Sequence, residues 1–357
     1  MKSFGVIMAG GGGNRFWPLS RKKTPKQLLN LSGKDLMINE AIDRLTYITE
    51  RDNLFIVTNK TQVPYMMEAT KGRVLPDHIL AEPAARNTAA CVGFAAMEIT
   101  KKYGDGIMVI TPADHYIQDT PAFTRILSRA VSAAEQTDKL VTVGITPTFP
   151  ATGFGYIRFA DGEDAVRTVM EFKEKPDEET AKVYVDSGAY AWNSGMFVWK
   201  ASTILEKFRQ FVPDIYEQLQ KIGDAMNTED EKGTIECVYP SIRSISVDYA
   251  IMEPSAAEGD VLVTLGEFGW NDVGSWDMMG VLHTADSCGN IAIGDTLAIN
   301  TTDSVLYSSG KLVAAVGVDN LVVVETPDAI MVCNKEKAQE VKLIVEALAA
   351  QNREELL

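Results

Sequence analysis

Phe4-Gly5-Val6-Ile7-Met8-Ala9, running into Gly10-Gly11-Gly12-Gly13-Asn14-Arg15, is the stretch on which the reading of this chain turns. Six apolar residues predict a buried strand. Four glycines predict a loop whose backbone N–H groups can approach an anion closely, because no Cβ stands in the way. Arg15 and, in Pro25-Lys26-Gln27, Lys26 add cations for the oxygens those N–H groups do not reach. The surrounding charge agrees: no Asp or Glu precedes Asp35, while Lys2, Arg15, Arg21, Lys22, Lys23, Lys26 and Lys34 give the segment +7. The whole chain carries −15 at pH 7, so the remainder carries −22. The bland alternative is an ordinary tight turn, which needs no such cations. The two commonest phosphate loops do not fit: a G-x-G-x-x-G fingerprint begun at Gly10 meets Arg15, one begun at Gly11 meets Phe16, and no G-K-[ST] follows.

Composition sets the outer limits. A chain of 357 residues with 46% hydrophobic content reads as a soluble globular protein with room for a large core and a second module. No apolar run approaches the roughly 20 residues of a membrane span, and the six-residue run at the start is too short for a signal peptide. Cys91, Cys237, Cys288 and Cys333 are scattered without C-x-x-C spacing. They read as reduced, mostly buried thiols of a cytoplasmic protein rather than a metal cluster. The acidity, with only three His, argues against a nucleic-acid partner, which requires a broad basic face.

Short β-branched runs alternate with longer amphipathic stretches. Strands are predicted at 4–9, 54–58, 78–81, 107–111 and 139–143, and helices at 36–48, 61–71, 87–103 and 121–136. This alternation predicts a mostly parallel sheet with helices on both faces, and ligands then bind beyond the carboxyl ends of the strands. Each polar cluster falls at such an end: Gly10 to Arg15 after the first strand, Glu82-Pro83 after the third, and Thr111-Pro112-Ala113-Asp114-His115 after the fourth. Asp114 has the plainer alternative of an Asx or helix-cap residue after Pro112, and Asp272 that of a turn residue before Val273-Gly274.

Further motifs lie in the middle of the chain: Gly153-Phe154-Gly155-Tyr156-Ile157, Phe172-Lys173-Glu174-Lys175-Pro176, Trp192-Asn193-Ser194-Gly195-Met196-Phe197 and Trp270-Asn271-Asp272-Val273-Gly274-Ser275-Trp276. Glu174 beside Lys175 offers an acceptor for two hydroxyls and a point charge for a phosphate, a combination that suits a sugar phosphate. A solvated charge run over 171–179 is the competing reading. Trp192, Trp199, Trp270 and Trp276 read as core or pocket wall. After Gly289, apolar runs at 291–299, 304–307, 312–318, 321–325 and 329–333 precede an amphipathic helix at 335–349. Stacked parallel β coils explain that spacing, and an antiparallel hairpin set permits it too.

The ordered set GGGGNR, PKQ, EPAARNTA, PADH, GFGYI, FKEKP, WNSGMF, SVDYAIME and WNDVGSW resembles the mannose-1-phosphate guanylyltransferases of the sugar nucleotidyltransferase superfamily. The resemblance runs from residue 4 to 276, and the tail to about 349 is also similar. It implies a Rossmann-like α/β catalytic domain over 1–289 and a small C-terminal β domain with a terminal helix over 290–357. The length looks like the short form of the family, with homodimerisation through the C-terminal region. It implies GMP transfer from GTP to mannose 1-phosphate, with Mg2+ held by Asp114 and Asp272. Gly10, Gly11, Gly12 and Gly13 would then meet the triphosphate, Arg15 and Lys26 its β and γ phosphates, Lys175 the sugar phosphate, and Glu174, Asn193 and Gly155 the sugar hydroxyls. Glu82, with Arg86, is a candidate reader of guanine, and backbone groups near Ala9-Gly10 are the alternative. Phe16, Phe154, Lys173 and Ala90 depart from the usual family residues, and none stands at an expected charged ligand. Another sugar 1-phosphate or NTP, or a catalytically weak sugar-nucleotide-sensing subunit, are the alternatives within the superfamily.

Overall fold

The computed structural model describes residues 1–357. Its first half follows the predicted alternation: β1 (Ser3–Met8), α1 (Met37–Leu45), β2 (Leu54–Asn59), α2 (Val63–Ala69), β3 (Ile79–Glu82), α3 (Asn87–Tyr103), β4 (Ile107–Pro112), β5 (Tyr116–Ile117), α4 (Thr120–Thr137) and β6 (Leu140–Ile145). The central section supplies β7 (Tyr156–Phe159), β8 (Val166–Lys173), α5 (Glu178–Ser187), β9 (Tyr190–Lys200), α6 (Ala201–Phe211), α7 (Pro213–Ala225), α8 (Glu231–Val238), α9 (Glu253–Ala257), β10 (Val261–Gly266) and β11 (Trp270–Asn271).

Nine of these strands form one sheet in the order β3-β2-β1-β4-β9-β6-β10-β8-β7. β1 lies parallel to β2 and β4, β2 to β3, and β6 to β10. β9 runs antiparallel to β4, β6 and β7, and β8 antiparallel to β10 and β7. Seven strands therefore share one direction, and β8 and β9 oppose it. The reversed β9 matters for function. Its register sets Asn193 opposite Gly144, near the carboxyl end of β6.

The pleat divides the core into two layers. On one face Phe4 and Val6 of β1 join α3, α6 and α7; on the other Ile7 joins Ile38 and Ile42 of α1 and Phe123 and Leu127 of α4. Ala89 to Ile99 of α3 are buried without a break, because this helix is covered by the sheet on one side and by α6 and α7 on the other. At roughly 1.5–3 kcal/mol for each large apolar side chain, that layer fixes where the carboxyl ends of β1, β3 and β4 stand.

After α10 (Met279–Leu282) come β12 (Ile291–Ile293), β13 (Thr296–Ile299), β14 (Val305–Ser308), β15 (Val313–Val316), β16 (Leu321–Glu325) and β17 (Ile330–Asn334). Ile291 stands opposite Val305 and Val305 opposite Val322, all in parallel, and Thr296 stands opposite Val313 likewise. Parallel coils are the outcome, with an antiparallel pair only at β16–β17. The predicted terminal helix is split into a 3-10 segment, Lys335–Val341, and α11 (Lys342–Ala350). Ile291, Val305, Val322, Ala338 and Val341 share a core with Phe16, Trp17 and Trp276, so this module is seated beside the glycine loop. Two of the four free cysteines correct the expectation of mostly buried thiols: Cys237, at the end of α8, and Cys288, in the Asp286–Asn290 turn, are exposed.

Candidate active site

The N–H groups of Gly10, Gly11, Gly12 and Gly13 donate to no atom of the protein. Their loop is held from behind. Gln27 is buried and its amide donates to the carbonyls of Ala9 (2.7 Å) and Gly11 (3.1 Å), while the Ser20 hydroxyl donates to Gly13 O (2.8 Å). Gly13 has a φ of 64°, and a Cβ there would lie 2.3 Å from the Lys26 Cβ, so only glycine fits. Carbonyls fastened inward and amides left free make a loop suited to an anion. Arg15 follows on the exposed rim and reaches no carboxylate within the chain.

The carboxylates expected to hold a metal are brought together by the short strands. β5 pairs with β11, Tyr116 opposite Asn271, so that Asp114 and Asp272 line one cleft with Gly12, Gly13 and Arg15. Val273 takes a φ of 44°, uncommon for a β-branched residue, and its N–H is held by Asn271 Oδ1 at 2.7 Å. Lys26 lines the same cleft. Its ammonium is buried and donates to Asp114 O (2.9 Å), Asp114 Oδ2 (2.9 Å) and Asp272 O (2.6 Å), which engages all three of its N–H donors. Burial works against ionising Asp114, but the Lys26 charge and hydrogen bond prevail and hold its carboxyl below the ordinary range. Burial raises Asp272, which the nearby Asp114 reinforces against the pull of Lys26 and Arg15. Asp114 and Asp272 supply hard oxygen donors of different proton affinity, and no cluster of three or more His, Cys, Asp or Glu stands with them. Two such carboxylates suit a hard divalent cation whose other positions are filled by phosphates and water.

His115 lines both this cleft and the next. Burial brings it down to about 4, and its Nδ1 accepts from Trp270 Nε1 at 3.1 Å. With Nδ1 accepting, the neutral ring carries its proton on Nε2.

The second cleft gathers Gly153, Phe154, Gly155, Glu174 and Asn193, with Asp272 on its border. Glu174 Oε2 would lie 2.4 Å from a Cβ on Gly155, so that glycine makes room for the carboxylate. Lys175 has a φ of 47° and its ammonium lies 2.8 Å from Glu174 Oε1; that hydrogen bond, more than burial, sets its pKa above the usual lysine value. Asn193 is occupied within the protein: its Oδ1 accepts from Thr142 Oγ1 and Gly195 N, and its Nδ2 donates to Asp248 Oδ1 at 2.9 Å. Asp248 is the residue the sequence reading passed over. It opens a π-helical turn, Asp248–Met252, and burial together with Glu174 raises its carboxyl to about 6. The SVDYAIME motif contained it, and a π-helical turn is a frequent mark of a functional site, but nothing in the motif assigns it a role.

A third cleft, shared with the second at Met8, Thr88 and Pro112, holds Gly10, Gly11, Glu82 and Arg86. Glu82 is buried, its Oε1 accepts from the Tyr239 hydroxyl, and burial raises its pKa. Its Oε2, which faces Gly10, is without a partner. Arg86 donates through Nη2 to Pro240 O, which ties it to the wall.

The three clefts adjoin in a row, with the two carboxylates in the first and the free-amide loop reaching both the first and the third. Residues 4–286 match the nucleotidyl transferase family, and the chain belongs to it. Residues 294–348 match the MannoseP isomerase/GMP-like beta-helix domain. The chain is 40% identical over 361 residues to alginate biosynthesis protein AlgA of Pseudomonas aeruginosa, covering 98% of this chain and 73% of that protein. It is 38% identical over 355 residues to a mannose-1-phosphate guanylyltransferase of Klebsiella pneumoniae, covering 98% and 74%. Among solved structures, a mannose-1-phosphate geranyltransferase from Thermus thermophilus superposes with a TM-score of 0.88 at 32% identity, covering 98% of this chain and all of the other. The protein is thus a nucleotidyltransferase, and its family generally works with a divalent metal. No helix is long and apolar enough to cross a membrane.

Proposed function

We propose that this protein transfers GMP from GTP to mannose 1-phosphate, forming GDP-mannose and pyrophosphate. The observation that carries the proposal is the 98% of this chain covered by a relative named mannose-1-phosphate guanylyltransferase, joined to a cleft lined by Asp114, Asp272 and the free amides of Gly12 and Gly13. A phosphate monoester has a second pKa of about 6, so near pH 7 the attacking oxygen is mostly deprotonated already and needs no general base. The acceptor nitrogen of His115, engaged by Trp270 Nε1, is in keeping with that.

The residues act by position and field. Gly10 to Gly13 and Arg15 would hold the triphosphate, with Lys26 keeping Asp114 ionised and bound to the Asp272 loop. Lys175 would meet the sugar phosphate, and Glu174, the Gly155 backbone and Asp248, oriented by Asn193, would meet sugar hydroxyls. Magnesium, held by Asp114 and Asp272, would supply charge opposite the reacting phosphates. Glu82 Oε2 and the Gly10–Gly11 backbone would share the guanine edge, with Arg86 as part of the wall. Homodimerisation through the exposed apolar face of β13 and β15 belongs to the same proposal. So does a cytoplasmic setting, where four unpaired cysteines stay reduced.

The test is pyrophosphate release with each of four NTPs against a panel of sugar 1-phosphates. GTP with mannose 1-phosphate is expected to give the highest kcat/KM, and a clear preference for another pair would replace this reading.

A further inference from the structure

We propose that Lys342, carried to the glycine-loop cleft by the C-terminal module, is a further cation that, beside Arg15 and Lys26, holds the pyrophosphate end of the nucleoside triphosphate. The inference rests on the nucleotidyl-transfer reading above and adds to it a residue from outside the catalytic domain.

Three observations carry it. Lys342 lines the same cleft as Gly12, Gly13 and Arg15. It is exposed and its ammonium makes no hydrogen bond or ion pair in the chain, whereas Lys26 has all three donors engaged. Charge is the third. Arg15, Lys26 and Lys342 balance Asp114, Asp272 and Glu346, so the cleft is neutral with Lys342 and net negative without it. A divalent cation on the two aspartates would make the cleft positive, and Lys342 adds one further unit of charge toward a polyphosphate.

The helix that bears Lys342 is also fastened to the loops it serves. Val341 and Ala338 are buried beside Phe16 and Trp17, which follow the glycine loop. Gln339 Nε2 donates to Ser275 Oγ at 2.6 Å, three residues after Asp272. At the far end the Leu356 carbonyl accepts from Trp17 Nε1 at 2.9 Å and from Arg21 Nη1 at 2.7 Å. A lysine that merely solubilised its helix would need no such anchoring. A lysine that meets phosphate as a point charge gains from it, because its stem starts from a fixed place.

The experiment compares wild type, Lys342→Ala and Lys342→Arg by calorimetric titration with magnesium pyrophosphate and by steady-state kinetics in both directions. Lys342→Ala is expected to weaken pyrophosphate binding and raise KM for pyrophosphate and for the NTP about tenfold, as for loss of one charge-assisted contact. KM for the sugar 1-phosphate is expected to stay within about twofold, and Lys342→Arg to recover most of the loss. Unchanged pyrophosphate affinity in Lys342→Ala would overturn the inference. Should the wild type join no NTP to any sugar 1-phosphate, the functional reading fails, while the titration still reports on Lys342.

Discussion

At the scale of single residues, the two aspartates of the glycine-loop cleft are not equivalent. Asp114 is held ionised by Lys26, whereas Asp272 is raised by burial and has no side-chain cation bonded to it. Asp272 therefore gains more from a bound cation. Asp272→Asn is expected to lower kcat a hundredfold or more, an order-of-magnitude figure for losing several kcal/mol of charge stabilisation, and EDTA to abolish turnover. Full activity in EDTA would remove the metal from the scheme. Asp248 provides a pH test. Its carboxyl sits at about 6, above the ordinary value of 3.8, so between those values the folded state holds a proton that the unfolded state has released. Stability from this residue is therefore complete below about pH 4 and falls as pH rises through 6. Asp248→Asn, which keeps an acceptor for Asn193 without the charge, should raise stability at pH 8 by on the order of 1–2 kcal/mol and change little at pH 4. Denaturant midpoints at the two pH values measure this, and an equal shift at both would refute it. KM for the sugar phosphate is expected to rise in the same variant, because the raised carboxylate is retained for the ligand rather than for the fold.

At the scale of elements, the first βα unit shows what a sequence can and cannot disclose. The strand, the glycine loop and the importance of Pro25-Lys26-Gln27 are legible because apolar runs, glycines and isolated cations each carry a local signal. Their division of labour is not legible. Gln27 braces the loop and Lys26 braces the aspartates, and both depend on residues far away in the chain, as do the Tyr239 bond to Glu82 and the Asn193 bond to Asp248. The reversal of β9 was equally hidden, since a buried strand reads the same in either direction. The glycines themselves can be told apart only in the fold. A methyl on Gly13 would face both a positive φ and the Lys26 side chain, costing about 2–4 kcal/mol, whereas one on Gly11 meets nothing within 4 Å. Gly13→Ala is thus expected to lose stability and activity together. Gly11→Ala should keep its melting temperature within a degree or two of wild type, and a matching loss of stability in both variants would contradict the packing.

At the scale of the whole molecule, the C-terminal coils have two faces with different tasks. The inner residues Ile291, Val305 and Val322 fasten the module to the glycine-loop side of the catalytic domain. The outer face is apolar and uncovered. On β13 and β15, Leu297 stands opposite Ala314 and Ile299 opposite Val316, and Leu297, Ile299 and Val316 are 49%, 47% and 64% exposed. Adjacent apolar residues on a regular sheet surface are what a two-fold partner would cover with the same patch. Each large apolar side chain so buried contributes roughly 1.5–3 kcal/mol, and each counts twice across a symmetric interface. Leu297→Glu with Val316→Glu would leave four carboxylates without partners there, enough to shift a micromolar sample wholly to monomer. Light scattering after gel filtration is expected to give twice the chain mass for wild type and the single mass for the double variant. Because none of the residues assigned to the reaction lies on that face, the monomer should keep the kcat of the wild type. A wild type that runs as a monomer, or a double variant that stays dimeric, would move the interface elsewhere; a monomer without activity would mean that the partner helps to hold the cleft.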